Sequence, residues 1–382
     1  MAGMWFFRSP QIVFGKDSLS FVSSLDISKA AIITDRNLLR TPIPSVVQGA
    51  LPRDAESVIL GDVSEEPTLA EMATHMDRIR EFSPDWFVAV GGGSAMDAAK
   101  ILFVLYERPD LTVYDITPLV KLGLRKKSRL AAIPTTSGTG SECTWAAMLT
   151  EAGEKRKHTL ASPEIVPDFA ILDPAFVVSL PLEQTRNTAS DAIAHAVEAY
   201  GSTWHNPFSD AMAEKAIELV LGGIEGVIKD PSNLELRNQV HIGASMAGLS
   251  FSNSQIGLVH ALGHALGAYF KTPHGKAVAL FLPHVVDFNY DACPERYDRL
   301  NRLVPDSYRG ARLSDSLENV FATIGQARNG RGAGIDEGEF QSDLDALVQL
   351  ASEDTGMIAN AKDASSADLR NLFMRAYETH EP

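Results

Sequence analysis

Trp86-Phe87-Val88-Ala89-Val90-Gly91-Gly92-Gly93-Ser94-Ala95-Met96-Asp97-Ala98-Ala99-Lys100 runs from an apolar segment through three glycines into an alanine-rich one. The apolar part reads as a short buried strand and the part after the glycines as a helix. Glycines at such a turn let the backbone approach a phosphate closely. The helix start then offers free N–H groups and the positive end of a dipole. The blander reading is a tight strand-to-helix connection with no ligand.

Around this stretch the first half of the chain keeps alternating. Ala30–Thr34, Ser57–Leu60, Leu130–Ile133 and Ala170–Leu172 read as further short buried strands, while Thr68 to Phe82 carries helical spacing at Leu69, Met72, Met76 and Ile79. Strand–helix alternation implies a parallel sheet covered on both faces. After Leu180-Pro181 helical patterns dominate, as in Asp191–Tyr200, Asp210–Leu221, Leu234–Gly248 and Ser314–Ile324. The expected organisation is an α/β domain over 1–180 and a mostly helical domain over 181–382. The Gly-rich, charged segment 327–340 is expected to be an exposed loop. No internal repeat or low-complexity tract is visible.

With 382 residues the chain exceeds the usual single domain, and 45% hydrophobic with 22% charged residues is an ordinary globular composition. Its formal net charge of −15 argues against nucleic acid and anionic membrane surfaces as partners. Two cysteines, Cys143 and Cys293, give no disulfide framework and suit a reducing cytosol. The start Met1-Ala2-Gly3-Met4-Trp5-Phe6 lacks the pattern of a signal peptide, and no stretch approaches the roughly 20 apolar residues of a membrane span. A cytoplasmic soluble protein is expected.

The glycine turn is not the usual dinucleotide fingerprint, in which the acidic residue follows about twenty positions later. Here an acidic residue comes earlier, as Asp35 at the end of the strand Ala30–Thr34. A carboxylate there can accept from an adenine-ribose 2′-hydroxyl and repel a 2′-phosphate, favouring NAD over NADP; equally, Asp35 can cap the following helix. Pro134-Thr135-Thr136-Ser137-Gly138-Thr139-Gly140-Ser141-Glu142 adds a run of hydroxyls and glycines that can wrap polar parts of a cofactor.

Four residues of the second half could hold one metal ion: Asp191, His195, His260 and His274. Asp191 and His195 are four apart in a helix-favouring segment, so both project from one face. A carboxylate with imidazoles suits a divalent first-row metal. Individually, each histidine is an ordinary packed residue and Asp191 a candidate helix cap.

Taken in order, these pieces resemble the iron-containing (group III) alcohol dehydrogenase family over nearly the whole chain. The resemblance rests on Asp35, Gly-Gly-Gly-Ser-x-x-Asp-x-x-Lys at 91–100, Pro-Thr-Thr-x-Gly-Thr at 134–139, Asp-Ala-x-x-His-Ala-x-Glu at 191–198, Gly-Leu-x-His-x-x-x-His at 257–264 and Pro-His-Gly at 273–275. Phe251-Ser252-Asn253 and Gly257 to Ala268 are similar to the lactaldehyde/1,2-propanediol oxidoreductase branch. The resemblance implies a Rossmann-like, dehydroquinate synthase-like α/β domain followed by an all-α domain. It implies Asp191, His195, His260 and His274 as metal ligands, with Fe2+ the family's metal and Zn2+ also suited to the set. His264, one helical turn from His260, corresponds to an additional active-site histidine. Gly92, Gly93 and Ser94 are implied to meet the pyrophosphate, with Asp97, Thr135, Thr136, Thr144 and Lys157 along the rest of the NAD groove. A homodimer is also implied. Glu65-Glu66-Pro67-Thr68 departs from the family's frequent Pro-Asn-Pro-Thr, and the chain beyond about residue 325 matches poorly.

The implied enzyme is a metal-dependent, NAD-linked oxidoreductase that interconverts a small primary alcohol or diol and its aldehyde. Phe251, Trp145 and Met148 read equally as walls of an apolar pocket or as core. A glycerol or polyol dehydrogenase of the same fold is the near alternative. A metal-dependent hydrolase or lyase, from another class, needs neither Asp35 nor Gly91–Ser94, and a metal-storage protein needs less still.

Overall fold

The computed structural model describes residues 6–64, 67–150 and 157–378, the Lys157 side chain excepted. Met1–Trp5 and the departure at Glu65-Glu66 therefore lie outside the described residues. The chain divides into two compact units, Met1–Ser179 and Leu180–Pro382.

Among its described residues the first unit holds eight strands: β1 (Gln11–Phe14), β2 (Lys29–Asp35), β3 (Glu56–Val63), β4 (Trp86–Gly91), β5 (Arg129–Pro134), β6 (Ala146–Thr150), β7 (Lys157–Ala161) and β8 (Phe169–Leu172). Six of them form a sheet in the order β1-β8-β5-β4-β2-β3, parallel throughout. Side chains alternate between its two faces. Ala31, Ile33, Phe87, Ala89, Leu130 and Ala132 enter one apolar cluster; Ala30, Ile32, Trp86, Val88, Ala131 and Ile133 enter the other. Burial on both faces is why these strands read as unbroken apolar runs.

Helices α1 (Ile43–Gly49), α2 (Leu69–Phe82) and α3 (Gly93–Glu107) complete the alternation. α2 starts on a reciprocal capping box, in which Thr68 Oγ1 accepts from the Glu71 N–H at 3.3 Å and Glu71 Oε2 from the Thr68 N–H at 3.0 Å. The chain passes from β2 to β3 on one side and from β4 to β5 on the other. The carboxyl ends of β2 and β4 thus flank the reversal of strand order, the place where open α/β sheets take ligands.

The second unit contains, among the described residues, helices and no strands: α4 (Leu182–Gly201), α5 (Pro207–Lys229), α6 (Leu234–Ser252), α7 (Leu258–Phe270), α8 (His274–Asn289), α9 (Pro294–Leu303), α10 (Leu313–Ile324), α11 (Glu337–Ser352) and α12 (Ser366–Glu378). Ile193, Val197, Ile217, Val240, Leu262, Phe281 and Phe373 belong to one continuous core built by α4 to α8 and α12.

The sequence reading needs three corrections here. β1 and the antiparallel β6–β7 pair are absent from it; β1 lies at the edge of the sheet, and β6 and β7 pair with each other outside it. α4 begins at Leu182, so Asp191 lies in mid-helix and the cap reading fails. Segment 327–340 is only partly exposed: Asn329 and Gly330 are buried, with Gly330 under the Tyr377 ring, and α11 already starts at Glu337.

One interior network fixes the loop after β5. Lys100 on α3 is 1% exposed, and its Nζ donates to Ser141 Oγ at 2.9 Å, Thr144 Oγ1 at 2.9 Å and the Ala146 carbonyl at 2.8 Å. Burial pushes the ammonium down to about 8, although Asp97 and Glu142 pull the other way. Replacing Lys100 by Met strips a buried carbonyl and two hydroxyls of their donor. We expect a stability loss of about 1–3 kcal/mol by denaturant unfolding; an unchanged midpoint would show that the network is not a structural tie.

Candidate functional site

α4, α7 and α8 bring four ligand-type side chains of the second unit together. Asp191 and His195 lie on α4, His260 on α7, and His274 is the first residue of α8. The three Nε2 atoms converge on one oxygen, Asp191 Oδ1, at 3.7 Å (His195), 3.6 Å (His260) and 3.3 Å (His274). Bonds of about 2.0–2.2 Å to a tetrahedral ion separate ligand atoms by about 3.4 Å. Ligand atoms of Asp191, His195 and His260 lie within 4.8 Å of one another.

The donor set passes a second test. Asp191 Oδ1 and His260 Nε2 are buried and make no hydrogen bond. Such atoms are costly unless something else satisfies them. A divalent ion between carboxylate and imidazoles does so, and the residues fit it. The site is open on one side: the side chains of His195, His260 and Asp191 are at most 6% exposed, but that of His274 is 38% exposed.

Local packing explains the spacing of the motifs. A Cβ on Gly275 would overlap the Asn187 carbonyl of α4, so only glycine lets the start of α8 lie against α4 and deliver His274. Phe251 of α6 stacks on His195, centroids 4.2 Å apart and planes 17° apart, which holds the imidazole from behind. Of its two readings, Phe251 therefore borders the constellation.

Two further carboxylates belong to the constellation and escaped the sequence reading. Glu198 Oε2 pairs closely with His260 Nδ1, while its Oε1 accepts from the Val259 N–H at 2.6 Å. Glu198 stands inside the quoted motif, one turn beyond His195, so its signal was present. Asp354 Oδ2 is 2.9 Å from His264 Nδ1, and its Oδ1 accepts from the Gly356 N–H at 2.7 Å. Nothing in its neighbourhood marked it. His264 itself lies beside the group, its ring 5.2 Å from that of His274 and 5.8 Å from that of His260.

The electrostatics follow from burial and charge. Burial alone raises the Asp191 carboxyl, but His195 and His274 overrule it and hold it well below the usual range. Burial alone lowers His260; Glu198 and Asp191 outweigh it and raise its pKa to about 10.

In the first unit, Asp35 and the glycine turn sit side by side. Asp35 Oδ1 accepts from the N–H groups of Asn37 (2.9 Å) and Leu38 (3.0 Å), capping the short helical turn Leu38–Arg40. Its Oδ2 lies 3.2 Å from where a Cβ of Gly91 would be, and Gly91 has φ +157°. Gly92 caps α3, and Gly92, Gly93 and Ser94 are half-exposed. The loop after β5 runs alongside: the Thr135 N–H donates to the Gly91 carbonyl at 2.9 Å, and a Cβ on Gly92 would meet Thr136 Cγ2 at 3.3 Å. Thr136 is half-exposed, Thr135 buried.

The structure turns Asp97 and Thr144, two of the other implied cofactor residues, inward. Asp97 is buried, with Oδ1 accepting from Ser141 Oγ (2.8 Å) and Oδ2 from the Met148 N–H (3.0 Å). Thr144 is 3% exposed and binds Lys100. Lys157 opens β7; its side chain lies outside the described residues.

Known proteins share this fold. The iron-containing alcohol dehydrogenase of Thermococcus thioreducens superposes with a TM-score of 0.89 at 31% identity, over 99% of this chain and 100% of that one. A 1,3-propanediol oxidoreductase gives 0.90 at 28% identity, over 98% and 100%. Residues 9–174 match the model for iron-containing alcohol dehydrogenases, and 185–377 that for the C-terminal part of the Fe-containing alcohol dehydrogenase family. The chain belongs to the iron-containing alcohol dehydrogenase family. It is 32% identical to an NADPH-dependent butanol dehydrogenase of Clostridium saccharobutylicum, over 96% of each chain. It is also 32% identical to the 1-propanol dehydrogenase of Citrobacter freundii, over 94% of this chain and 96% of that one. Some relatives are longer: the chain spans 46% of an aldehyde-alcohol dehydrogenase of Entamoeba histolytica.

Glu198 and Asp191 raise the pKa of His260 to about 10, so holding a divalent ion through Nε2 would require His260 to give up a proton that its neighbours favour. Apparent metal affinity, read by chelator competition, is therefore expected to rise roughly tenfold per pH unit between 6.5 and 8.5. A flat profile contradicts the proton assignment.

Proposed function

We propose that this alcohol dehydrogenase is NAD(H)-linked and metal-dependent, and interconverts a small primary alcohol or diol with its aldehyde. One observation carries the reading: the Nε2 atoms of three imidazoles converge on one buried carboxylate oxygen, with His274 partly exposed beside it. Asp191, His195, His260 and His274 would hold the ion, Fe2+ by family and Zn2+ by chemistry. A divalent ion so held lowers the pKa of an alcohol and polarises an aldehyde carbonyl.

The first unit is assigned to the dinucleotide and the second to the metal and the chemistry. Gly92, Gly93 and Ser94 offer the helix start to the pyrophosphate, and Thr135 and Thr136 extend that groove. Asp97 and Thr144 shape it from inside through the Lys100 network. Asp35 uses one oxygen for its cap and keeps the other toward the glycine turn, free to accept from a ribose hydroxyl. That supports NAD(H), although the Clostridium relative is described as NADPH-dependent. Butanol, 1-propanol and 1,3-propanediol, named for relatives, support small alcohols as substrates.

His264 is assigned to moving the alcohol proton outward from the site, with Asp354 holding its Nδ1 so that Nε2 is the exchanging nitrogen. The acidic, cysteine-poor chain suits the cytoplasm, and no helix among the described residues is long and apolar enough to cross a membrane. A homodimer is the assembly expected, to be checked by light scattering.

The decisive assay follows NADH absorbance with 1-propanol and 1,2-propanediol, with and without chelator, and then with NADP. Absence of any chelator-sensitive NAD reduction by small alcohols would sink the reading. Asp35→Gly is expected to raise NADP use by about tenfold or more, since it removes a like charge from the 2′-phosphate. His264→Ala is expected to slow turnover roughly 10²–10⁴-fold and alter its pH profile; unchanged rates remove the relay role.

A further inference from the structure

Helix α7 begins without a cap of its own. Its N-cap residue is Gly257, which has no side chain to accept from the first free N–H groups. Two distant residues take over. Glu198 Oε1 accepts from the Val259 N–H at 2.6 Å, across 61 residues of sequence, and Asn360 Oδ1 accepts from the Leu258 N–H at 3.3 Å, across 102. Asn360 is itself held by Asn289, whose Nδ2 donates to the same oxygen at 2.9 Å. The other Glu198 oxygen pairs with His260 Nδ1. Glu198 is 7% exposed, and a Cβ on Gly257 would come within 3.0 Å of its Oε1. Both carboxylate oxygens are therefore committed, one to the start of the helix and one to the imidazole two residues further on.

We propose that Glu198 is the positioning residue of the metal centre: one carboxylate fixes both the start of α7 and the ring tautomer of His260. This rests on the metal reading above. A neutral His260 that ligates through Nε2 must keep its single proton on Nδ1, and an ionised carboxylate at Nδ1 is an acceptor only. The Nε2 lone pair is then aimed at the point it shares with Asp191 Oδ1, 3.6 Å away. Carboxylates behind metal-binding histidines set ring orientation and raise ligand basicity in this way. The second bond distinguishes this one, because it ties the direction of the lone pair to the position of the helix.

Glu198→Gln separates the two tasks with almost no change in shape. The amide has one acceptor oxygen and one donor nitrogen. If the oxygen keeps the Val259 N–H, the NH2 faces His260 Nδ1 and drives the ring proton to Nε2, where the ion must bind. If the amide flips, the NH2 meets the Val259 N–H and the helix start is lost. Either way, we expect Zn2+ affinity measured by chelator competition to fall about 10–100-fold. The fold of the ion-free chain, by circular dichroism, is expected to stay that of the wild type.

The wild-type chain supplies a readout that needs no variant. With Zn2+ bound, nitrogen-15 spectra of labelled histidine should show His260 protonated at Nδ1 and bare at Nε2, the signal being assigned by its loss in His260→Ala. Wild type that loads Zn2+ while E198Q loads it within twofold as tightly overturns the Glu198 assignment and leaves the metal reading standing. So does a loaded His260 protonated on the other nitrogen. Wild type that takes up neither Zn2+ nor Fe2+ overturns the metal reading, and the role of Glu198 toward an ion with it.

Discussion

A single buried oxygen, Asp191 Oδ1, organises the second unit. Three imidazole nitrogens point at it from three helices. A carboxylate removed from water costs several kcal/mol unless charge and hydrogen bonds replace its solvent. Here the replacement is positive or polarisable from three sides. For it to work, α4, α7 and α8 must approach closely and at fixed rotation. That requirement explains small residues at the contacts, above all Gly275 against the Asn187 carbonyl.

The ligand-type residues are only the inner part of this arrangement. Behind His260 stands Glu198, behind His264 stands Asp354, and behind His195 the Phe251 ring. Both carboxylates also accept from a backbone N–H, at Val259 and Gly356. The groups that orient the rings are therefore anchored to the main chain rather than to flexible side chains. Such anchoring holds a donor set in place before anything binds, which is what preorganisation means physically.

In the first unit the structural and ligand-directed readings of a residue coexist. Asp35 caps a turn with one oxygen and presents the other beside Gly91. Asp97 and Thr144, by contrast, are consumed by the interior network of Lys100 and Ser141. Residues in a family motif can thus be spent on packing the loop against α3 rather than on the surface. The GGGS-x-x-D-x-x-K pattern joins both kinds: Gly92, Gly93 and Ser94 reach the surface, while Gly91, Asp97 and Lys100 do not.

How much of this the chain announces by itself depends on distance along it. Apolar runs and the helical spacing of Leu69, Met72, Met76 and Ile79 are local, and they made β2, β3, β4, β5, β8 and α2 legible. The Asp191/His195 pair is likewise one helical turn. β1 and the β6–β7 pair were not read: β1 is an edge strand, and β6 and β7 pair with each other outside the six-stranded sheet, so their pairing is set by tertiary neighbours. The sequence by itself determined the α/β then all-helical order, the family, and which side chains are chemically able to bind. Tertiary structure alone decided that His260 and His274 meet Asp191, that Glu198 closes the start of α7 across 61 residues, and that Asp354 stands behind His264 across 90. Those contacts join helices far apart in the chain, and packing, not local propensity, sets where such helices cross.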